Sequence, residues 1–239
     1  MSERYDRNIR IPGFGEAAQR MLRRARVLVL GAGGLGAPAI LYLAAAGVGT
    51  LAVADGDTVS LSNLQRQILY GTDDIGSAKA ACAARAIARL NPEVEALSIP
   101  ERIGPARMET LFRDYDCILD CVDSAITKRQ INRACVRLQK PFVHAGVSGL
   151  AGQLFCYVPG HACLGCAFPR PPAEAPSADG VLGAAAGTLG AMQAAEAIKI
   201  ITGFGAPLYD GILHVDLGSG AFLRVDIQKN TRCRVCGGK

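Results

Sequence analysis

The 239-residue chain has no tryptophan, and phenylalanine and tyrosine bring its aromatic share to only 5%. That scarcity argues against a stacking platform for single-stranded nucleic acid, so no nucleic-acid partner is expected. No uninterrupted apolar run reaches about 18 residues, and no transmembrane helix or membrane partner is expected. The opening stretch from Met1 to Arg7 lacks the apolar core of a secretory signal, which makes the cytoplasm the expected compartment. In that reducing setting nine cysteines do not form a disulfide framework. Histidine is scarce as well. His144 sits in an apolar strand and reads as a satisfied core residue, while His161 and His214 join no recognisable constellation. Lysine occurs only six times, which makes the position of each one worth weighing.

Hydrophobic residues make up half of the chain and charged residues 20%, a balance that builds a large buried core. The formal charge is +5, and the basic residues are scattered apart from Arg20, Arg23, Arg24 and Arg26. That cluster reads as the solvated face of an N-terminal helix. Apolar runs at 26–30, 50–54, 94–99, 117–122 and 141–145 read as strands of a mostly parallel sheet. Helical stretches at 35–46, 77–90 and 125–138 alternate with them, giving an α/β, Rossmann-like architecture. After Gly146 the alternation stops. A strand at 152–158, a Pro-rich crossing segment at 169–176, an Ala/Gly-rich helix at 183–202 and strands at 212–217 and 222–227 are expected. The organisation expected is one domain over 1–239. It comprises an arm and helix at 1–25, repeated β-α units at 26–147, and a C-terminal region at 148–239.

Chemistry concentrates where strands give way to helices. The first strand ends in the turn Gly31-Ala-Gly-Gly-Leu-Gly36, which places backbone N–H groups at a helix N-terminus, a site suited to phosphate. Gly31 and Gly33 permit the tight turn and the close approach of a ligand. Asp55 ends the second strand, where a carboxylate can accept from ribose hydroxyls. These features point to a nucleotide without separating NAD from ATP. Asn63, Arg66 and Lys79 add an amide and two cations, which phosphoryl or nucleotidyl transfer needs and hydride transfer does not. Spacing alone leaves open whether Arg66 and Lys79 are solvated charges. Asp123, after the fourth strand, can hold Mg²⁺ or cap the helix that begins near Ser124. Five cysteines (Cys82, Cys117, Cys121, Cys135 and Cys156) read as small core residues. Two Cys-x-x-Cys pairs, Cys163/Cys166 and Cys233/Cys236, fit one closed, tetrahedral, structural zinc site.

These motifs, with Arg4-Tyr-Asp-Arg7, the run from Asp55 through Ser62-Asn-Leu-Gln-Arg-Gln67, and Asp120-Cys-x-Asp123, resemble the ThiF/MoeB/HesA family from about Arg4 to Gly237. The resemblance implies an adenylyltransferase. It would use ATP and Mg²⁺ to activate the C-terminal Gly-Gly carboxylate of a small ubiquitin-like sulfur carrier, releasing pyrophosphate, for sulfur transfer in molybdopterin or thiamine biosynthesis. It implies that Gly31, Gly33, Gly34, Gly36, Asp55, Asp57, Ser62, Asn63, Arg66, Lys79, Asp123 and Ser124 surround the nucleotide, with Asp123 on Mg²⁺. It also implies a homodimer, in which Arg7 reaches the ATP of the partner subunit. Two positions depart from the family pattern. Pro176 stands where ThiF-type members carry a cysteine, so no thioester or acyl-disulfide step is expected there. Ser124 replaces the usual asparagine. With no rhodanese-like extension, sulfur is expected from a separate cysteine desulfurase or rhodanese. The other readings of the sequence are a tRNA-modifying dehydratase of the same superfamily, a nicotinamide-dependent oxidoreductase, and an inactive zinc-stapled binding homologue.

Overall fold

The computed structural model describes residues 3–170 and 180–237. The expected zinc knuckle therefore falls within it, whereas most of the Pro-rich crossing segment, with Pro176, lies outside the described residues. The chain begins with α1 (Asp6–Ile9) and α2 (Gly15–Arg24), followed by β1 (Arg26–Leu30), α3 (Gly36–Ala46) and β2 (Thr50–Ala54). Next come α4 (Lys79–Leu90), β3 (Glu95–Ile99), α5 (Pro105–Leu111), β4 (Cys117–Asp120), α6 (Ala125–Leu138) and β5 (Phe142–Ser148). The C-terminal region adds β6 (Ala151–Tyr157), the single turn α7 (Leu164–Ala167), α8 (Gly183–Thr202), β7 (Gly211–Asp216) and β8 (Ala221–Asp226).

Among the described residues the eight strands form one sheet in the order β3-β2-β1-β4-β5-β6-β7-β8. The first five are parallel, and β5 to β8 pair antiparallel through neighbouring connections. Chain order reverses between β1 and β4. At such a point the flanking helices leave in opposite directions, and a crevice opens beyond the carboxyl ends of the strands. The strands follow from their sequences. Leu51 to Ala54 and Val27 to Leu30 are buried on both faces, which is why they read as unbroken apolar runs. One core layer, with Leu43, Ile40, Ile87 and Leu189, lies on one face of the sheet, and a second, with Phe112, Phe142 and Tyr157, lies on the other.

Several details differ from the sequence reading. Arg26 begins β1, as the apolar run at 26–30 indicated, and so leaves the solvated helix face on which the arginine cluster was read; its guanidinium bonds the Asp114 carbonyl at 2.9 Å, while Arg20, Arg23 and Arg24 are exposed as expected. β4 stops at Asp120, two residues early, and β5 runs on to Ser148 to pair with β6. Helix α4 starts at Lys79, not Ser77, because Ala78 is extended and bridges to Thr58. The segment at 105–111, to which no element was given, is α5, opened by Pro105 in its first turn. Among the described residues no helix is long and apolar enough to cross a membrane.

Candidate active site

At the carboxyl ends of β1, β2 and β4 lies a cleft of about 610 Å³. Gly31 stands at its root with φ of +90°, and its N–H donates to the Ala54 carbonyl at 2.9 Å. A Cβ there would lie 2.8 Å from the Cys121 carbonyl oxygen, so both the dihedral and the space require glycine. The next peptide is clamped from both sides. The Ala32 N–H donates to Asp55 Oδ2 at 2.7 Å, and its carbonyl accepts from the Tyr70 hydroxyl at 2.8 Å. The second Asp55 oxygen accepts from the Asp57 N–H at 2.8 Å. Asp55 therefore fixes the glycine turn to the end of β2, and each oxygen keeps a lone pair for a ligand.

Asp57 sits between two cations. The Arg102 guanidinium lies 2.6 Å from one oxygen, and the buried Lys79 ammonium lies 3.6 Å from the other. The hydrogen bond from Arg102, helped by the Lys79 charge, outweighs partial burial and holds the Asp57 carboxyl below its ordinary range. Asp57 thus orients cations more than it offers oxygens. Arg66 is braced by its own turn, donating to the Ser62 carbonyl at 3.0 Å, and its side-chain stem lies over Gly34. The Asn63 amide oxygen accepts from the Ser60 N–H at 3.3 Å. Asp123 is exposed on the cleft wall and, among the described residues, has no hydrogen bond or ion pair. The cap of α6 falls on Ser124, whose hydroxyl accepts from the Thr127 N–H at 3.3 Å. The alternative in which Asp123 caps that helix is thereby removed, and its carboxylate is left available.

The structure brings Gly31, Gly33, Gly34, Asp55, Asp57, Asn63, Arg66, Lys79, Asp123 and Ser124 to this one cleft. Gly36 is not on its lining. A side chain there would collide with the Gly31 carbonyl, so Gly36 serves the packing of α3 against the turn. Ser62 contributes its carbonyl to Arg66 and also stays off the lining, and Arg7 is exposed on α1, away from it. Sequence reasoning passed over Arg102, which comes from an irregular loop with no local signal, and Lys128. The latter lies four residues after Ser124 on α6, so helical spacing places it on the same face. Lys128 donates to the Ala145 carbonyl at 2.7 Å and lies 3.4 Å from Asp120. Asp120 is fully buried and also lies 2.7 Å from His144 Nδ1. Burial alone would raise the Asp120 carboxyl, but the Lys128 charge and the His144 hydrogen bond hold it down. Burial and the Lys128 charge lower His144 in turn, so the imidazole is neutral near neutral pH.

In the core layer that holds Phe112, Phe142 and Tyr157, the sulfurs of Cys163, Cys166, Cys233 and Cys236 lie within 4.8 Å of one another. Cys163 and Cys233 are 3.7 Å apart, and Cys166 and Cys236 are 3.4 Å apart. Sulfurs about 2.3 Å from a tetrahedral zinc would be about 3.8 Å apart, so the cluster is able to take a metal. Backbone donors face two of the sulfurs. The N–H groups of Asn230 and Val235 approach Cys166 and Cys233, each at 3.4 Å. Burial opposes ionisation throughout the cluster and holds the Cys163 and Cys236 thiols above their ordinary value, yet the backbone N–H groups of Cys236 and Val235 and the neighbouring sulfurs bring the Cys233 thiol down to about 7. Asn132 ties this cluster to α6, its amide oxygen accepting from the Leu164 N–H at 3.0 Å.

A crossover crevice, a glycine turn at a helix start and a ring of cations define a nucleotide-using α/β enzyme. Comparison with known proteins makes this specific. The family model described as ThiF family matches residues 5–235. The chain is 40% identical over 236 residues to the protein "HesA, vegetative" of Trichormus variabilis, spanning 98% of this chain and 89% of that protein. It is 38% identical over 245 residues to the sulfur carrier protein adenylyltransferase of Thermus thermophilus, spanning 98% and 90%. The fold matches the crystal structure of E. coli MccB with AMPCPP and MccA at a TM-score of 0.90 and 24% identity, over 98% of this chain and 74% of that one. The chain belongs to the ThiF family and is an adenylyltransferase of that family.

Proposed function

We propose that this enzyme uses ATP and Mg²⁺ to adenylate the C-terminal Gly-Gly carboxylate of a small ubiquitin-like sulfur carrier protein, for sulfur transfer in cofactor biosynthesis. The observation that carries this reading is the convergence of Asn63, Arg66, Lys79 and Asp123 on the cleft that the glycine turn opens. Support comes also from the 38% identity to a sulfur carrier protein adenylyltransferase.

In the reaction, a carboxylate oxygen forms a bond to the α-phosphorus. The bond from that phosphorus to the α–β bridging oxygen breaks, and pyrophosphate leaves with the electron pair. The nucleophile is already ionised, so no general base is required. The difficulty is electrostatic, because one anion approaches another while charge grows on the leaving group. The N–H groups of the glycine turn would bind phosphate oxygens, and Asp55 would take the ribose hydroxyls. Arg66 would grip the triphosphate with a fork of donors, while Lys79 would act as a point charge kept in place by Asp57. Asp123, exposed and unpaired, suits Mg²⁺, which keeps waters and takes few protein oxygens. When bound, the ion would neutralise phosphate charge. The four cysteines would hold zinc in a closed site that ties the chain end to its middle and takes no part in chemistry. A homodimer in which Arg7 reaches across to the partner subunit's ATP, and a separate sulfur donor, belong to the same reading.

The test is intact-mass analysis of recombinant carriers ending in Gly-Gly after incubation with enzyme, ATP and Mg²⁺. A gain of one AMP on a carrier is the expected outcome. If no carrier gains AMP while the enzyme binds ATP, the substrate assignment falls.

A further inference from the structure

Lys128 borders two cavities. One is the nucleotide cleft, and the other is a separate, mostly apolar hollow of about 280 Å³ between α6 and the cysteine cluster. Its side chain is largely buried, 13% exposed, and its ammonium is held by the Ala145 carbonyl and Asp120. An ammonium has three donors, and these two contacts leave one for a ligand. The position is fixed from beneath, because Asp120 is itself held by His144. Such anchoring is more than a solvated surface lysine requires.

Topology separates Lys128 from the other cations. Lys79 opens the helix between β2 and β3, and Arg66 comes from the segment before it, both on the β1–β3 side of the crossover. Lys128 comes from the helix between β4 and β5, on the opposite wall, one turn beyond Asp123 and Ser124.

We infer that Lys128, at the junction of the two cavities, binds the terminal carboxylate that is to be adenylated and aims it at the α-phosphorus. The carboxylate-bearing chain approaches from the side of the second hollow, whose rim includes the exposed Arg133. This inference rests on the proposed function and names the nucleophile's binding group within it. Lys128 forms and breaks no covalent bond in the step.

The probe is the carrier that the wild-type enzyme converts in the mass assay, with binding of a fluorescent ATP analogue measured in parallel. Lys128→Met is expected to raise the KM for that carrier, or to lower kcat/KM for it, at least about tenfold. Its affinity for the nucleotide should stay within about twofold of wild type, and Lys128→Arg should recover part of the loss. Removing the ammonium leaves Asp120 buried beside neutral partners, which can unfold the protein. The double variant Asp120→Asn/Lys128→Met removes both charges and should show the same carrier-specific loss. An unchanged carrier KM and kcat in a folded variant overturns the inference, as does an equal fall in ATP affinity. If the wild type converts no carrier, the proposed function fails and the inference with it. If the wild type converts one and the variants match it, only the inference fails.

Discussion

The two halves of the sheet are built on different physical terms. β1, β2 and β4 are buried almost throughout, and the apolar runs that form them also anchor the glycine turn, Asp55 and Asp120. β8, at the other end, is exposed along its whole length, with Phe222 and Leu223 55% and 61% accessible. It is held by pairing with β7, and the chain that follows it returns to Cys163 and Cys166 through Cys233 and Cys236. The cysteines differ less simply. Burial pushes Cys117 up to about 12, as befits a core filler; within the cluster burial also holds Cys163 and Cys236 above the ordinary thiol value, and only Cys233 is brought down, to about 7. In the buried half, packing alone fixes the backbone that carries Asp55 and Asp120. Where burial is thin, a metal can supply the order that packing does not.

The largest effect that would sharpen this contrast is metal removal. In zinc-finger peptides such binding contributes roughly 10–16 kcal/mol of apparent folding energy. Both core layers run on from β1–β5 into the C-terminal strands, but the cluster ties down only the chain on either side of them, so a strong chelator, or Cys233→Ser, should loosen the C-terminal region first. Hydrogen exchange should show β7 and β8 losing protection while β1 and β2 keep it, and metal analysis should find about one zinc per chain. Simultaneous loss in both halves, or no loss in either, would break the comparison.

How far the sequence announced this molecule depends on how local each signal is. The helix Ala125–Leu138 and the strand Thr50–Ala54 were legible to the residue, because an apolar period or run and its breakers lie inside the segment itself. The cysteine pairs were legible because their spacing encodes a turn around a metal. Helix α5 was not, since seven residues carry too few apolar positions to set a period. Arg102 and Lys128 were passed over for another reason: only the fold brings a loop arginine to Asp57 and a helical lysine to Asp120. The cap on Ser124 needed coordinates as well, because Asp123 and Ser124 are both good capping residues one position apart.

The next largest effect falls on activity alone. Asp123→Ala removes a carboxylate that makes no hydrogen bond or ion pair among the described residues, so it should abolish the AMP adduct while leaving the melting temperature almost unmoved. Pro176→Ala should leave the adduct intact, because no acyl intermediate is expected at that position. Adduct formation by Asp123→Ala at the wild-type rate would count against the magnesium role. Gly36→Ala, by contrast, should act on stability within the buried half. Its Cβ would meet the Gly31 carbonyl oxygen, and overpacking of this kind costs about 1–3 kcal/mol. Chemical denaturation should show the loss. If Gly36→Ala is as stable as wild type, the turn is softer than its packing indicates.

The smallest effect is a pH dependence at the rim of the cleft. The Asp57 carboxyl is held below its ordinary 3.8, chiefly by the hydrogen bond from Arg102 and secondarily by the charge of Lys79. The folded protein therefore releases this proton at lower pH than the unfolded chain does. The stabilisation is fully present above 3.8 and is lost as pH falls through the lower folded value. Because the Asp57 side chain is 45% exposed, solvent screens the pair, and the contribution should stay below about 1 kcal/mol. Asp57→Asn should lower stability slightly at pH 7 and flatten the acid limb of the stability curve against wild type. Its effect on ATP affinity should exceed its effect on stability, since Lys79 would lose the carboxylate that aims it. A variant whose ATP affinity is unchanged would mean that burial alone positions Lys79, which would extend the rule of the buried half to its charges.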